Sequence, residues 1–327
     1  MTARAAVIIV NYNSGQRLTR CLDSLAAQRF RDFETIVVDN ASSDGSRDLA
    51  AAHPLRPRII DAGGNLGFAR ANNIAAETFD GEWLAFLNPD AYPQEGWLEA
   101  LMDAAARRPD ADAFGSTQLD AAAPDRLDGA GDAYHVFGAS YRSFFGWPAS
   151  ALPPEGECFA PCAAAALYRT AVFKDLGGFD ERYFCYSEDV DLGFRLRLAG
   201  GRAVQVASAV VLHEGSGVSG KRSAFTVYYG HRNRIWTYCK NMPAPLLLAG
   251  APFHAALNVY LLFRMIAVGR GTSYLRALFD AYRGLGAFRE DRKRLAATRR
   301  ASLRDIAGAL TWSPVKLWSR RARTIKR

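Results

Sequence analysis

The stretch from residue 5 to residue 40, AAVIIVNYNSGQRLTRCLDSLAAQRFRDFETIVVDN, contains two apolar runs separated by a segment with helical periodicity. AAVIIV (5–10) and FETIVV (33–38) are predicted strands, and apolar residues recur at helical spacing from Leu18 to Leu25. Strands alternating with helices at this distance predict right-handed crossovers and a mostly parallel sheet flanked by helices. The fold class expected is therefore α/β.

The same alternation continues further along the chain. RII (58–60) and WLAFL (83–87) are the third and fourth predicted strands. A helix is expected after Gly67, another from Glu95 to Arg108, and a later strand over 204–212.

Polar residues follow three of these strands where each strand ends, at Asn11–Asn13, Asp39–Asn40 and Asn88–Asp90. One polar strand end is usually a turn or a helix cap, because Asn and Asp suit both positions. Parallel strands end at the same edge of a sheet, and ligands bind beyond that edge. Three such ends together favour a binding site.

A dinucleotide-binding dehydrogenase would explain an acidic residue at the end of the second strand. That fold needs a glycine-rich turn after the first strand, so that the pyrophosphate can approach the helix. The turn here is NYNSG, with one glycine and a bulky tyrosine. The sequence therefore argues against this class.

Four segments in order carry a resemblance to a known family. They are VIIVNYNSGQRLTRCLDSLAAQRFRDFETIVVDNASSDGS (7–46), NLGFARANN (65–73), FLNPDAYP (86–93) and GGFDERYFCYSEDVDLGFRLRLAGGRAV (177–204). Together they resemble inverting family 2 glycosyltransferases with the GT-A fold, most closely the bacterial rhamnosyltransferase-like branch. The resemblance implies a GT-A domain over residues 1–240. It also implies transfer of a sugar, rhamnose or another deoxysugar, from a dTDP- or UDP-sugar donor to a lipid-linked or polysaccharide glycan.

Carried onto this sequence, the resemblance assigns a nucleotide-sugar site. Tyr12 would stack on the pyrimidine, and Asp39 would accept the N3 hydrogen of uracil or thymine. Gly67 would let the backbone approach the nucleotide. Asn88 would begin the position that the family's DxD motif occupies.

The resemblance also implies a divalent metal, Mg²⁺ or Mn²⁺, at the donor diphosphate. Asp90 would bind it, since hard cations prefer oxygen ligands, and the metal would neutralise the departing nucleoside diphosphate. Asn88 replaces the first acid of the motif with a neutral amide, which predicts weaker or less strict metal dependence. His213 matches a histidine that ligates the metal in some relatives, although a lone histidine at a strand end is more often structural.

The catalytic base is expected in the segment YSEDVDLGFRLRLAGG (186–201). An inverting transfer needs one carboxylate to take the acceptor's hydroxyl proton, and the resemblance places this base at Asp189, with Glu188 orienting the acceptor. The acids could instead complement a helix N-terminus, and Asp191 could pair with Arg195 at i,i+4. Inward-facing apolar residues later in the helix would leave Glu188 and Asp189 near its exposed start.

YYGHRNRIWTYCKN (228–241) interleaves aromatic and cationic residues. By itself this pattern fits an amphipathic helix with a solvated cationic face. The resemblance implies a segment that closes over the donor, in which His231 and Arg232 would reach phosphates.

The region 241–327 differs from the rest of the chain. It begins with 23 residues without a formal charge, and the part from Arg264 onward carries 17 Lys or Arg against 4 acidic residues. Three prolines within or beside the apolar segment favour a helix lying in the membrane interface over a spanning helix. A buried helical hairpin is a further alternative.

A basic tail can bind anionic lipid or nucleic acid. The tail has no recognisable nucleic-acid-reading module and follows an apolar segment, which favours an anionic membrane surface. Five scattered cysteines and an N-terminal apolar run too short for a signal peptide predict a cytoplasmic protein, peripheral on the inner membrane. The alternative function is a non-catalytic GT-A glycan-binding module or a partner subunit of a synthase.

Overall fold

The computed structural model describes residues 2–215 and 223–321. Within these ranges the chain forms a ten-stranded sheet and a separate two-stranded hairpin. The strands are β1 (Ala5–Asn11), β2 (Phe33–Asp39), β3 (Arg58–Asp61), β4 (Trp83–Leu87), β5 (Ala91–Pro93), β6 (Ala113–Asp120), β7 (Ala123–Ala130), β8 (Asp132–His135), β9 (Ala139–Arg142), β10 (Gly156–Cys158), β11 (Ala165–Arg169) and β12 (Ala203–His213). All five strands predicted from the sequence are present, and their bounds differ from the prediction by at most one residue.

The sheet has the order β10-β12-β6-β11-β4-β1-β2-β3, with β5 paired to β12 and β7 to β6. The block β3-β2-β1-β4 is parallel, as predicted, and β6 pairs with β12 in parallel. β11 runs antiparallel between β4 and β6. The strands β1, β2 and β4 therefore end at one edge, and this edge carries the polar residues that the sequence singles out.

The helices are α1 (Gln16–Ala26), α2 (Ser46–Ala51), α3 (Gly67–Glu77), α4 (Trp97–Arg107), α5 (Thr170–Asp175), α6 (Glu188–Leu198), α7 (Ala224–Asn241), α8 (Ala244–Ala267), α9 (Gly271–Gly284), α10 (Arg289–Thr298), α11 (Leu303–Ala309) and α12 (Pro314–Ser319). α1 buries the four residues that its periodicity predicts, Leu18, Cys21, Leu22 and Leu25.

Helices cover both faces of the sheet, which explains why β1 and β4 are apolar throughout. Successive residues of a strand point to opposite faces. In β1, Val7 and Ile9 accordingly join one core cluster, while Ala6 and Ile8 join the other.

The C-terminal helices share core clusters with the sheet domain. Ile306 of α11 packs in a cluster with Tyr134 and Phe194. Phe288, before α10, packs with Tyr183 and Trp236. Packing is therefore continuous across the boundary predicted at residue 240.

α8 is long and apolar enough to cross a membrane by length and composition. Its buried residues are Gly250, His254 and Asn258, which face the sheet domain. Only 17% of the most apolar part of α8 is buried, which is little for the alternative of a buried helical hairpin.

Candidate active site

The ends of β1 and β2 meet as the sequence predicts. Asn11 lies opposite Asp39 in the parallel register, and its Nδ2 donates a hydrogen bond to Asp39 Oδ1 at 2.8 Å. The Ser42 amide donates to the other oxygen of Asp39 at 3.3 Å. Asp39 is buried, whereas Tyr12, the first residue after β1, is 40% exposed.

Gly67 has a clear packing reason to be glycine. Its φ is +81°, a left-handed conformation that favours glycine. A Cβ atom here would lie 2.5 Å from the carbonyl oxygen of Phe184. The close neighbour in the structure is therefore Phe184, and the approach of a nucleotide to Gly67 stays a prediction.

The end of β4 and the end of β12 form an acidic and histidine-containing cluster. His213 Nε2 lies 3.4 Å from Asp90 Oδ1, and His213 Nδ1 lies 2.7 Å from Asp128 Oδ2. All three side chains are buried. Burial lowers the pKa of His213, but its hydrogen bonds to Asp128 and Asp90 outweigh this, and the net shift is upward.

This cluster fits a divalent metal. A metal-binding histidine usually bonds a carboxylate through its other ring nitrogen, which fixes the ring and its tautomer. Asp128 occupies that place, so that His213 Nε2 and the Asp90 carboxylate face each other. A nitrogen and oxygen donor set suits a first-row ion such as Mn²⁺ at least as well as Mg²⁺.

A cleft of about 430 Å³ lies beside this cluster. It brings together residues far apart in the sequence: Asn88 after β4, Arg142 at the end of β9, Ala163 before β11, and the acids that open α6. Arg142 pairs with Asp128, and its charge acts on Asp189 as well. The cluster of His213, Asp90 and Asp128 and the predicted catalytic acids are thus linked through the guanidinium of Arg142.

Asp189 is held by two main-chain amides at the cleft wall. The amide of Ala163 donates to Oδ2 at 3.0 Å, and the amide of Val190 donates to Oδ1 at 2.8 Å. Desolvation raises the pKa of Asp189, while these amides and Arg142 act in the opposite direction. The carboxylate is therefore fixed in orientation and made more basic than a solvated aspartate, as a general base requires.

Glu188 is buried, which corrects the expectation of an exposed helix start. Residues of the hairpin β8–β9 line the same cleft as the beginning of α6. Burial, and then the neighbouring Asp189, raise the pKa of Glu188 well above its usual value. Burial and Asp189 likewise raise the pKa of Asp132, whose carboxylate lies within 4.8 Å of that of Asp189.

The turn before α6 is strained. Phe184, Tyr186 and Ser187 all have positive φ, at 65°, 72° and 66°. The Cys185 amide donates to the Tyr183 carbonyl at 2.7 Å, which makes Phe184 the centre of a three-residue γ-turn of the rare, strained kind. Strain of this type is often found at active sites, where the surroundings hold it in place.

Asn233 of α7 holds this turn. It is fully buried, and its Nδ2 lies 2.9 Å, 2.8 Å and 2.7 Å from the carbonyl oxygens of Tyr183, Cys185 and Tyr186. The turn that delivers Glu188 and Asp189 to the cleft is therefore fixed from α7.

Arg232 lies outside the cleft lining, in contrast to its neighbours His231 and Arg234. Its guanidinium donates to the main-chain carbonyls of Arg182 and Tyr183. It also lies 4.1 Å from the ring of Trp236. This placement gives no support to the predicted contact of Arg232 with phosphate.

Comparison with known proteins identifies the family. Residues 6–177 match the profile of glycosyl transferase family 2. The chain belongs to this family. N-acetylglucosaminyl-diphospho-decaprenol L-rhamnosyltransferase of Mycobacterium tuberculosis is 32% identical over 258 residues, which cover 71% of this chain and 83% of that protein. O-antigen biosynthesis protein RfbC of Myxococcus xanthus is 30% identical, over 66% of this chain and 18% of that protein.

Solved structures show the same GT-A fold. A mannosyltransferase of Pyrobaculum calidifontis in complex with GDP-Man and Mn²⁺ has a TM-score of 0.56 at 19% identity, covering 97% of this chain and 88% of that chain. TarS (1–349) of S. aureus in complex with UDP-GlcNAc has a TM-score of 0.57 at 19% identity, covering 94% and 88%. The protein is thus a GT-A glycosyltransferase.

Sequence reasoning misses several residues in and around this glycosyltransferase's cleft. Asp128, Asp132 and Arg142 come from a segment without a recognisable motif. Asn233 and Arg234 lie in a segment whose pattern shows its cations but not their orientation. A search for buried charged residues near Glu188 and Asp189 could find them only once the fold is known.

Proposed function

We propose that this glycosyltransferase is inverting and transfers rhamnose or another deoxysugar from a dTDP- or UDP-sugar to a lipid-linked or polysaccharide glycan. The observation that carries the proposal is the position of Asp189, held by two main-chain amides at the wall of a cleft that Asn88 also lines. The name of the Mycobacterium tuberculosis relative supports rhamnose as the sugar and a lipid-linked diphosphate as the acceptor.

In the proposed mechanism Asp189 takes the proton of the acceptor hydroxyl as that oxygen attacks the anomeric carbon. The new carbon–oxygen bond forms while the bond to the nucleoside diphosphate breaks, so the configuration at the anomeric carbon inverts. Glu188 orients the acceptor, and as a protonated acid it would donate a hydrogen bond to it. Both oxygens of Asp189 accept from main-chain amides, so rotation of the carboxylate would break these two bonds.

We assign the donor to the edge formed by β1, β2 and β4. Tyr12 would stack on the pyrimidine, Asp39 would accept from the base, and Asn88 would contact the diphosphate. Asp90 and His213 would hold Mg²⁺ or Mn²⁺, which when bound neutralises charge on the leaving diphosphate. The buried Asp128 supports this assignment, since it fixes the His213 ring.

The test is product formation with a panel of nucleotide sugars. The full-length protein is incubated with dTDP-rhamnose, UDP-GlcNAc or GDP-mannose and a short-chain prenyl diphosphate carrying GlcNAc. Product is identified by mass spectrometry and its anomeric configuration by NMR. Inversion with a deoxysugar donor is expected, and Asp189→Asn should lower transfer by about 10²–10⁴-fold, the usual contribution of a positioned base.

The outcomes separate the alternatives. Near-normal turnover of Asp189→Asn would remove Asp189 from the role of base, and Glu188 would be tested next. Glycan binding that is unaffected by Asp189→Asn, with no transfer from any donor, would support the non-catalytic module instead.

We further propose that the protein works as a peripheral protein on an anionic membrane surface, at the cytoplasmic face of the inner membrane. α8 buries its polar residues against the domain and exposes Leu248, Phe263 and Ile266, at 72%, 66% and 54%. A helix docked in this way can lie in the interface without leaving its partners. Each basic residue near an anionic surface adds about 1 kcal/mol of binding free energy.

Vesicle sedimentation tests this proposal. The full-length protein should sediment with vesicles containing anionic lipid at low salt and be partly released at high salt. Phe263→Asp should weaken binding, whereas Leu49→Asp, at an exposed leucine of α2, should not. Equal sedimentation of both variants, or a wild-type protein that stays in the supernatant, would contradict the proposal.

A further inference from the structure

Four Lys or Arg side chains are buried among the described residues, and three of them pair with a carboxylate. Lys240 pairs with Asp180 and Asp191, Arg195 pairs with Asp191, and Arg197 pairs with Glu157. Arg234 is the fourth, with 8% exposure.

Among the residues that the structure describes, Arg234 bonds only to neutral groups. Its guanidinium donates to the carbonyl oxygen of Gly138 at 3.3 Å and to Oδ1 of Asn258 on α8. Within residues 2–215 and 223–321 it forms no ion pair with a carboxylate, and its Nε has no hydrogen-bond partner. A buried charge without a counter-charge is costly to maintain, because desolvation is not offset by attraction.

The uncompensated charge belongs to the cleft. Arg234 lines it together with His231, one turn earlier on α7. The ring Nδ1 of His231 also has no partner within the described residues. Burial and the Arg234 charge lower the pKa of His231 to about 3, so this ring is neutral and can donate one hydrogen bond. Two donors therefore meet at one wall of the cleft, and no carboxylate of the described residues pairs with them.

The surroundings of Arg234 suggest which anion would bind. Asn258, its hydrogen-bond partner, belongs to α8, and the following residues Val259 and Tyr260 are 54% and 45% exposed. The cation and the exposed apolar surface of α8 are thus separated by the thickness of one helix. A ligand with a phosphate group and a hydrocarbon chain matches both features, whereas a nucleotide matches only the first.

We propose that Arg234, assisted by His231, binds a phosphate of a prenyl diphosphate-linked acceptor, with the hydrocarbon chain leaving along α8. The inference rests on the proposed function for the identity of the acceptor. The acceptor and the nucleotide-sugar donor both carry a diphosphate, so the phosphate at Arg234 could also come from the donor. The donor is assigned to other residues, at the ends of β1, β2 and β4, and the test distinguishes the two sources.

The first arm measures binding without catalysis. Farnesyl diphosphate, farnesol and dTDP are titrated against the full-length wild-type protein and Arg234→Gln by calorimetry. The wild type should bind farnesyl diphosphate more tightly than farnesol, and Arg234→Gln should lose about 10- to 100-fold of affinity for the diphosphate, as expected for a lost charge-assisted hydrogen bond. Affinity for farnesol and for dTDP should stay unchanged.

The second arm measures transfer. Arg234→Gln should raise the acceptor KM by a similar factor and leave the donor KM unchanged, and Arg234→Lys, which keeps the charge, should lose less. Thermal unfolding is the folding control: Arg234→Gln should unfold at or above the wild-type temperature because it removes an unpaired charge, whereas Lys240→Met should unfold well below it.

Each outcome decides the proposal. Unchanged affinity of Arg234→Gln for farnesyl diphosphate overturns the site. An equal loss of affinity for dTDP overturns the acceptor assignment and gives the phosphate to the donor. Absence of transfer with every donor would refute the proposed function, while the binding arm would still report on the anion site.

Discussion

Asn233, which holds the strained turn before α6, allows a test in which the effect of a substitution on unfolding free energy is separated from its effect on kcat. Asn233→Ala removes the amide that binds the carbonyls of Tyr183, Cys185 and Tyr186. The amide has two hydrogens, so the three short contacts amount to about two full hydrogen bonds. At about 1 kcal/mol net for each bond, and since the Tyr183 carbonyl keeps its bonds to the Cys185 amide and to Arg232, we expect a loss of about 2 kcal/mol of unfolding free energy.

The catalytic effect follows from the strain. A positive φ in a residue other than glycine costs about 1 kcal/mol or more, and three such residues lie in this turn. Without Asn233 the turn can relax toward ordinary backbone angles, which displaces the beginning of α6 and with it Asp189. A displacement of about 1 Å can lower a rate about 100-fold. We therefore expect kcat to fall by about this factor while the donor KM stays near the wild-type value.

Asn73→Ala is the matched control. Asn73 is also buried, and its side chain donates to the carbonyl of Phe179 at 2.8 Å and accepts from the amide of Phe179 at 2.9 Å. It should lose similar stability, measured by chemical denaturation, without a comparable loss of kcat. Equal kcat in the two variants would refute the assignment of Asn233 as a positioning residue, even if both proteins are destabilised.

Three further predictions concern metal and pH. Asp90→Ala should weaken dTDP binding in Mn²⁺ and much less in EDTA; equal affinity in both conditions would mean that side chains or helix dipoles hold the diphosphate instead of a metal. The acid limb of the pH profile of kcat should lie above the ordinary pKa of an aspartate, about 3.9, because Asp189 must be ionised and desolvation raises its pKa; full activity at pH 4 would contradict this. The pKa of His231 is lower in the folded state than in the unfolded state. Its contribution to the unfolding free energy is therefore present above about pH 6.5 and is lost as the pH falls toward 3. Between pH 6.5 and 5 the wild type should therefore lose about 2 kcal/mol more unfolding free energy than His231→Asn, and parallel curves would argue against a buried neutral ring.

The strands and their polar ends are predictable because both signals are local. An apolar run such as β1 or β4 needs only its own residues to be recognised, and the polar residues after it must lie at the carboxyl edge of a parallel sheet. Asp39 and Asp90 can therefore be placed at one edge from the amino-acid sequence alone. Asp189 lies in no such strand end, and only the family resemblance brings it to the same region.

The other half of the cleft depends on pairings between distant segments. Asp128 reaches His213 because β7 folds back along β6, and Arg142 reaches Asp128 through the hairpin β8–β9. Antiparallel pairings of this kind leave no sequence motif, because what they require is complementary burial rather than particular residues. The burial of Glu188 escapes prediction for the same reason.

The cations of α7 show the limit of helical periodicity. Arg232 and Arg234 are two residues apart, which places them about 200° apart around the helix, so only one of them can face the cleft. Periodicity alone cannot decide between them, since both faces of α7 are covered. The hydrogen bond from Trp236 to the carbonyl of Ala281 in α9 and the bonds of Arg232 to the turn fix the rotation of the helix.

The rotation of α7 about its axis links the cleft to α8, the helix proposed to lie at the membrane surface. With Arg232 directed to the turn, Asn233 clamps the same turn and Arg234 faces both the cleft and Asn258 of α8. Of these three successive residues of α7, the first two thus bond to backbone carbonyls of the turn before α6, and the third bonds to α8. Displacing α8 from the domain would remove a hydrogen-bond partner from Arg234 and loosen α7, whose Asn233 holds the turn before α6. An acceptor that binds Arg234 and lies along α8 would instead stabilise both contacts, so binding at the membrane surface would favour the arrangement in which the base is ready to act.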